Sequence, residues 1–131
     1  MGRPAFVAVV DDDESVRESL PDLLGQLGYA TRAFASAEEF LASDCIADTQ
    51  CMILDITLPG LSGPELQREL NLQGHRFPII FITAQGNGNV RSRLIKQGAV
   101  ECLFKPFSEL ELQVALDAAL SGKRQAGMLE Q

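Results

Sequence analysis

Apolar residues in this chain gather in short runs that alternate with longer stretches where they recur every three or four positions. Residues 5–10 (AFVAVV), 29–34 (YATRAF), 51–54 (CMIL), 78–82 (PIIFI) and 101–104 (ECLF) read as strands, several of them apolar on both faces and therefore buried. Between them the period changes to that of a helix. Val16, Leu20, Leu23, Leu24 and Leu27 share helical spacing up to the stop at Gly28, with Pro21 predicting a kink or a late start. Ser36 and Glu39 form a capping box before Phe40 and Leu41, and Ser108 and Glu111 form another that opens a helix to about Leu120. Gly63 and Pro64 start a helix through Leu66 and Leu70 that ends near Gly74. Val90, Leu94 and Ile95 carry a short helix studded with Arg91, Arg93 and Lys96, preceded by a glycine-rich QGNGN segment expected to be mobile. Residues 46–50 read as a loop.

Five strands alternating with five helices predict an α/β fold: one doubly wound domain, a parallel sheet covered on both faces, with right-handed crossovers. Residues 1–121 are expected to form this domain, and the small, polar stretch 122–131 to be a flexible tail or linker stub. The last helix carries apolar or alanine residues around most of its circumference, so part of it is a candidate partner surface, although alanines also simply tolerate exposure.

Composition narrows the function. A length of 131 residues suits one domain with a sizeable core, and 46% hydrophobic and 22% charged residues are ordinary for a globular protein. No apolar run reaches the length of a membrane span and no secretion signal is visible, so a cytoplasmic location is expected. The net charge of -7 argues against direct nucleic-acid binding and favours cations. Cys45, Cys51 and Cys102 lack metal-ligand spacing and read as reduced, buried or half-buried thiols. His75, the single histidine, reads as an exposed loop residue.

The chemistry gathers where strands end. The first strand runs into Asp11, Asp12, Asp13 and Glu14, and the third into Asp55. Two carboxylates ~5 Å apart repel by roughly 3 kcal/mol at an effective dielectric near 20, which a divalent cation such as Mg²⁺ relieves. Asp13 and Glu14 suit the start of the next helix equally well, and an aspartate after a strand can merely open a loop. In an open parallel sheet, however, Asp11, Asp12, Asp55, Thr83 and Lys105 all reach the carboxyl edge of the sheet from four strands. A carboxylate nucleophile, a held cation, a hydroxyl and an ammonium are the parts phosphoryl transfer needs.

In order along the chain, VVDDDESVR, MILDITLPGLSG, FITAQG and LFKPF resemble the receiver domains of two-component response regulators, above all those that precede helix-turn-helix output domains. The resemblance covers residues 6–120 and implies a sheet in the order 2-1-3-4-5. It implies a signalling domain, not an enzyme, that takes a phosphoryl group from a sensor histidine kinase onto Asp55 and assists its own phosphorylation and dephosphorylation. Magnesium would be held by Asp12 directly, Asp11 through water, Asp55, and the carbonyl of Thr57. Thr83, Ala84 and Lys105 would bind the phosphoryl group, and Lys105–Pro106 is a candidate cis bond. Thr83 would turn inward on activation, and a homodimer or output partner would meet the fourth helix, fifth strand and fifth helix. Thr57 and Gln85 would influence hydrolysis. One position departs from the family: Cys102 stands where an aromatic usually reports phosphorylation, and it is too small to swing as a gate.

Three other readings compete. An aspartyl-nucleophile phosphatase needs an acid two residues after Asp55, where Thr57 stands. A nucleotide-binding module needs a glycine-rich loop after its first strand, where three aspartates stand. A receiver-like interaction domain working without phosphorylation is the nearest alternative.

Overall fold

The computed structural model describes residues 4–84 and 87–129, with side chains described as far as residue 121. Five strands, β1 (Phe6–Val10), β2 (Ala30–Phe34), β3 (Cys51–Asp55), β4 (Ile79–Thr83) and β5 (Glu101–Phe104), form one parallel sheet in the order β2-β1-β3-β4-β5. They alternate with α1 (Glu14–Gln26), α2 (Ala37–Leu41), α3 (Gly63–Leu72), α4 (Gly88–Lys96) and α5 (Glu109–Leu129). A 3₁₀ turn at Ile46–Asp48 leads into β3.

Strand alternation divides the core in two. Val7, Val9, Cys51, Ile53, Ile80 and Ile82 point to one face, where Leu20 and Leu24 of α1 and Leu112 and Leu116 of α5 cover them. Ala8, Val10, Met52, Leu54 and Phe81 point to the other, beneath Phe40 of α2, Leu66 and Leu70 of α3, and Leu94 of α4. The central strands β3 and β4 are buried at every position, which is why their sequences are continuous apolar runs. Edge strand β2 is less covered, with Ala30 and Arg32 exposed and only Phe34 fully buried.

Local signals explain most helix ends. Asp13 caps α1 by accepting from the Ser15 N–H, Ser36 caps α2 from Glu39, and Ser62 and Glu65 close a reciprocal capping box on α3. The start of α1 at Glu14 excludes a late start at Pro21, which lies inside the helix. The Asp13 cap fixes the first turn while Leu20 and Leu24 bury on either side of the proline. α5 continues past Leu120 to Leu129, through Lys123, Arg124, Gln125 and Ala126, which favour helix, and through Gly122 and Gly127, which do not. The last two residues of the expected tail lie outside the described residues. His75 is half-buried after α3. Among the described residues no helix is long and apolar enough to cross a membrane.

Candidate functional site

Register decides which strand ends meet. Val10 pairs with Leu54, so Asp11 and Asp55 come level one residue further on, while Asp55 pairs with Ile82 and Thr83 with Phe104. The ladder bonds continue past the strands: Asp11 N–H donates to Phe34 O at 3.0 Å and Lys105 N–H to Thr83 O at 2.8 Å. The acids of the first turn, the acid of β3, the hydroxyl of β4 and the amine after β5 are thereby carried to a single edge.

Each central carboxylate is held by the turn that follows it. Asp11 Oδ1 accepts from the Asp13 N–H at 2.9 Å, and Asp55 Oδ1 accepts from the Thr57 N–H at 3.1 Å. Both second oxygens face the Lys105 ammonium, whose Nζ lies 2.9 Å from Asp11 Oδ2 and 3.7 Å from Asp55 Oδ2. Arg17 of α1 adds a second cation by donating to the Asp11 carbonyl at 3.1 Å, which also fixes the first turn. The Lys105–Pro106 bond is cis.

Asp11 is fully buried, Asp55 is 6% exposed and Asp12 faces solvent. Burial pushes the Asp55 carboxyl up to about 6, the neighbouring Asp11 adds to the rise, and Lys105 and the Thr57 N–H offset part of it. For Lys105, burial works against the charged form. The hydrogen bond and charge of Asp11, with Asp55 and Asp13 behind them, nonetheless hold its pKa above the usual lysine value.

One oxygen each from Asp11, Asp12 and Asp55 lies within 4.8 Å of the others. An all-oxygen, carboxylate-rich set with one solvent-facing member fits a hard divalent cation that keeps part of its water shell, as Mg²⁺ does. Beside this cluster a pocket of about 190 Å³ is lined by Asp55, Thr57, Thr83, Ala84 and Lys105. Asp55 and the residues expected to bind the phosphoryl group, Thr83, Ala84 and Lys105, line one cavity together with Thr57. Gln85 lies outside the described residues, as does the first part of the QGNGN segment; its Asn87 caps α4.

Cys102 stands apart from this pocket. It is buried on the α2–α4 face of the sheet, against the cluster that includes Leu94, and burial followed by the nearby Glu101 charge pushes its thiol up. Its strand neighbour Glu101 forks onto Arg91 of α4 at 2.7 and 3.1 Å and also accepts from the Cys102 N–H at 2.9 Å. Sequence reading had not found this α4–β5 link, nor the contact of Arg17 with Asp11, because neither pair carries a local spacing signal.

The comparisons agree with this geometry. The family model of the response regulator receiver domain matches residues 7–117. Nodulation protein W of Bradyrhizobium diazoefficiens is 45% identical over 120 residues, covering 92% of this chain and 53% of that protein. Transcriptional regulatory protein TdiR of Thauera aromatica is 38% identical over 124 residues, covering 95% and 55%. The chain thus spans about half the length of these curated relatives. Among solved structures, response regulator StyR superposes with a TM-score of 0.82 at 40% identity over 98% of this chain and 66% of that one. Vibrio cholerae chemotaxis protein CheY4 gives 0.80 at 28%, covering 89% and 99%.

Proposed function

This chain belongs to the family of response regulator receiver domains, and on that premise we propose that Asp55 accepts a phosphoryl group from a sensor histidine kinase. The observation that carries the reading is the shared ammonium: Lys105 Nζ stands 2.9 Å from Asp11 and 3.7 Å from Asp55, and Lys105 and Asp55 line the same pocket. In the transfer, an ionised oxygen of Asp55 forms a bond to phosphorus as the phosphorus–nitrogen bond of the donor phosphohistidine breaks, and the imidazole leaves with its electron pair. The Thr57 N–H holds the other Asp55 oxygen and so orients the attack. Lys105 pairs with one phosphoryl oxygen, and the Thr83 hydroxyl and Ala84 N–H receive the others.

Asp11, Asp12, Asp55 and the Thr57 carbonyl would hold Mg²⁺, which when bound neutralises charge on the phosphoryl oxygens. The same residues serve the later step, in which water attacks the phosphorus, the bond to Asp55 breaks and inorganic phosphate leaves, so the domain assists both its phosphorylation and its dephosphorylation. Thr83, drawn toward the phosphoryl group, starts the readout, and Cys102 transmits it by packing under α4 because it has no ring to rotate. Phe104, Leu110 and Val114 expose apolar surface on the β5–α5 side, which supports a homodimer or output partner there.

The test is incubation with Mg²⁺ and acetyl phosphate or phosphoramidate, read by intact mass. Wild type gains the mass of one phosphoryl group and Asp55→Asn gains none; equal labelling of both would overturn the assignment. The loss of an aromatic at Cys102 favours one alternative, an interaction domain working without phosphorylation, and a wild type that never gains the group would select it.

A further inference from the structure

We infer that Glu38 is a positioning residue for the phosphoryl site: an outside strap on the loop that carries Thr57. The inference rests on the metal and phosphoryl roles proposed above, and it assigns a function to a helix, α2, that otherwise only covers the sheet.

The loop between Asp55 and α3 is fixed at its base. Ile56 N–H donates to Ile82 O of β4 at 3.0 Å, and Gly63 N–H returns to Ile56 O at 3.0 Å. Its far limb is fixed from elsewhere: the Leu61 N–H donates to Glu38 Oε2 at 2.9 Å, across 23 residues of sequence. Among the described residues the only other side chain bonded to residues 57–61 from outside the loop is Asp55 at its base, which accepts from the Thr57 N–H. Thr57 is thereby held on its near side by Asp55 and the β4 anchor, and the limb that follows it is held by the anchor on α2.

Two features show that the approach is built in. A Cβ added at Gly60 would stand 2.7 Å from Glu38 Oε2, and Gly60 also holds φ +75, so the carboxylate passes close over a position whose backbone conformation favours glycine. Within α2, the capping is done by Glu39, whose Oε1 accepts from the Ala35 N–H at 2.7 Å while Ser36 accepts from the Glu39 N–H. Glu38 is free of that duty. Its aim is set by Ala37 and Phe40 on either side, both fully buried, with Phe40 edge-on to Phe34 at 5.3 Å.

Mg²⁺ alone is the probe, titrated into wild type, Glu38→Ala and Glu38→Gln and followed by backbone amide shifts, with hydrogen exchange at Leu61 measured in parallel. Loss of one exposed charge-assisted hydrogen bond should weaken Mg²⁺ binding about threefold in Glu38→Ala, with faster exchange at Leu61. Glu38→Gln retains an acceptor oxygen and should recover most of both effects. A residue that merely stabilised α2 would lower the melting temperature without moving Mg²⁺ affinity.

If wild type and Glu38→Ala bind Mg²⁺ equally, or if Glu38→Gln is as impaired as Glu38→Ala, the strap is overturned while the site reading stands. If wild type binds Mg²⁺ and the variants behave as stated but acetyl phosphate labels nothing, the phosphoacceptor reading fails and the strap on the metal site survives. A wild type that binds no Mg²⁺ overturns both.

Discussion

Removing the charge of Asp55 should make the metal-free protein more stable, although Asp55 is the centre of the site. In the fold this carboxyl is pushed from 3.8 up to about 6 by burial first and by Asp11 second. Between about pH 4 and pH 6 the folded chain holds a proton that the unfolded chain has already lost. The contribution of this group is therefore intact below pH 3.8 and is lost as pH climbs through 6. At neutral pH the ionised carboxylate costs the fold about 2–3 kcal/mol, taking 1.36 kcal/mol for each tenfold change in proton affinity.

Asparagine at this position keeps an oxygen for the Thr57 N–H and gains an N–H to offer Asp11, so the geometry survives while the repulsion goes. Thermal unfolding in EDTA at pH 7.5 should place Asp55→Asn on the order of 10 °C above wild type. At pH 4 the two should converge, and Mg²⁺ at pH 7.5 should stabilise wild type much more than the variant. A variant no more stable than wild type in EDTA at pH 7.5, or an advantage undiminished at pH 4, would refute the electrostatic account of the site.

Two further perturbations probe the same cluster from other sides. Lys105→Met takes away the ammonium 2.9 Å from the fully buried Asp11, and the stranded carboxylate should cost about 3 kcal/mol in urea unfolding at pH 7.5 in EDTA; unchanged stability would show that the pair is not what holds Asp11. Gly63→Ala places a Cβ against the Asp55 carbonyl oxygen and 3.1 Å from both Ile56 Cα and the Phe81 ring. Because these neighbours are backbone of the site and a buried side chain, a loss of about 2–3 kcal/mol is expected, with weaker Mg²⁺ binding; a variant of wild-type stability would mean the loop shifts freely.

How much of this was legible in the sequence follows from the range of each interaction. FVAVV, CMILD and IIFIT announce buried strands because a strand covered on both faces has no solvent side to mark with polar residues. Once those strands are parallel and alternate with helices, topology alone brings Asp11, Asp55, Thr83 and Lys105 to one edge, so the site could be assembled from the sequence before any distance was known. The Ser62–Glu65 capping box was equally available as a local signal and was not used.

What escaped depends on contacts with no sequence period. Glu38 meets Leu61 across 23 residues, and Arg91 meets Glu101 across 10 and an intervening turn. The resting place of Lys105 is of the same kind. Pattern carries it to the carboxyl edge of the sheet but does not say which carboxylate it meets: Nζ lies 2.9 Å from Asp11 and 3.7 Å from Asp55. Asp11 has no exposure at all and its second oxygen is met by the ammonium, while burial raises the Asp55 carboxyl to about 6. The ammonium thus stands beside the more deeply buried acid, 3.7 Å from Asp55. On the function proposed above, Lys105 would shift from Asp11 toward an incoming phosphoryl oxygen once other positive charge compensates Asp11, which would couple cation binding to the readiness of the lysine through the same carboxylate.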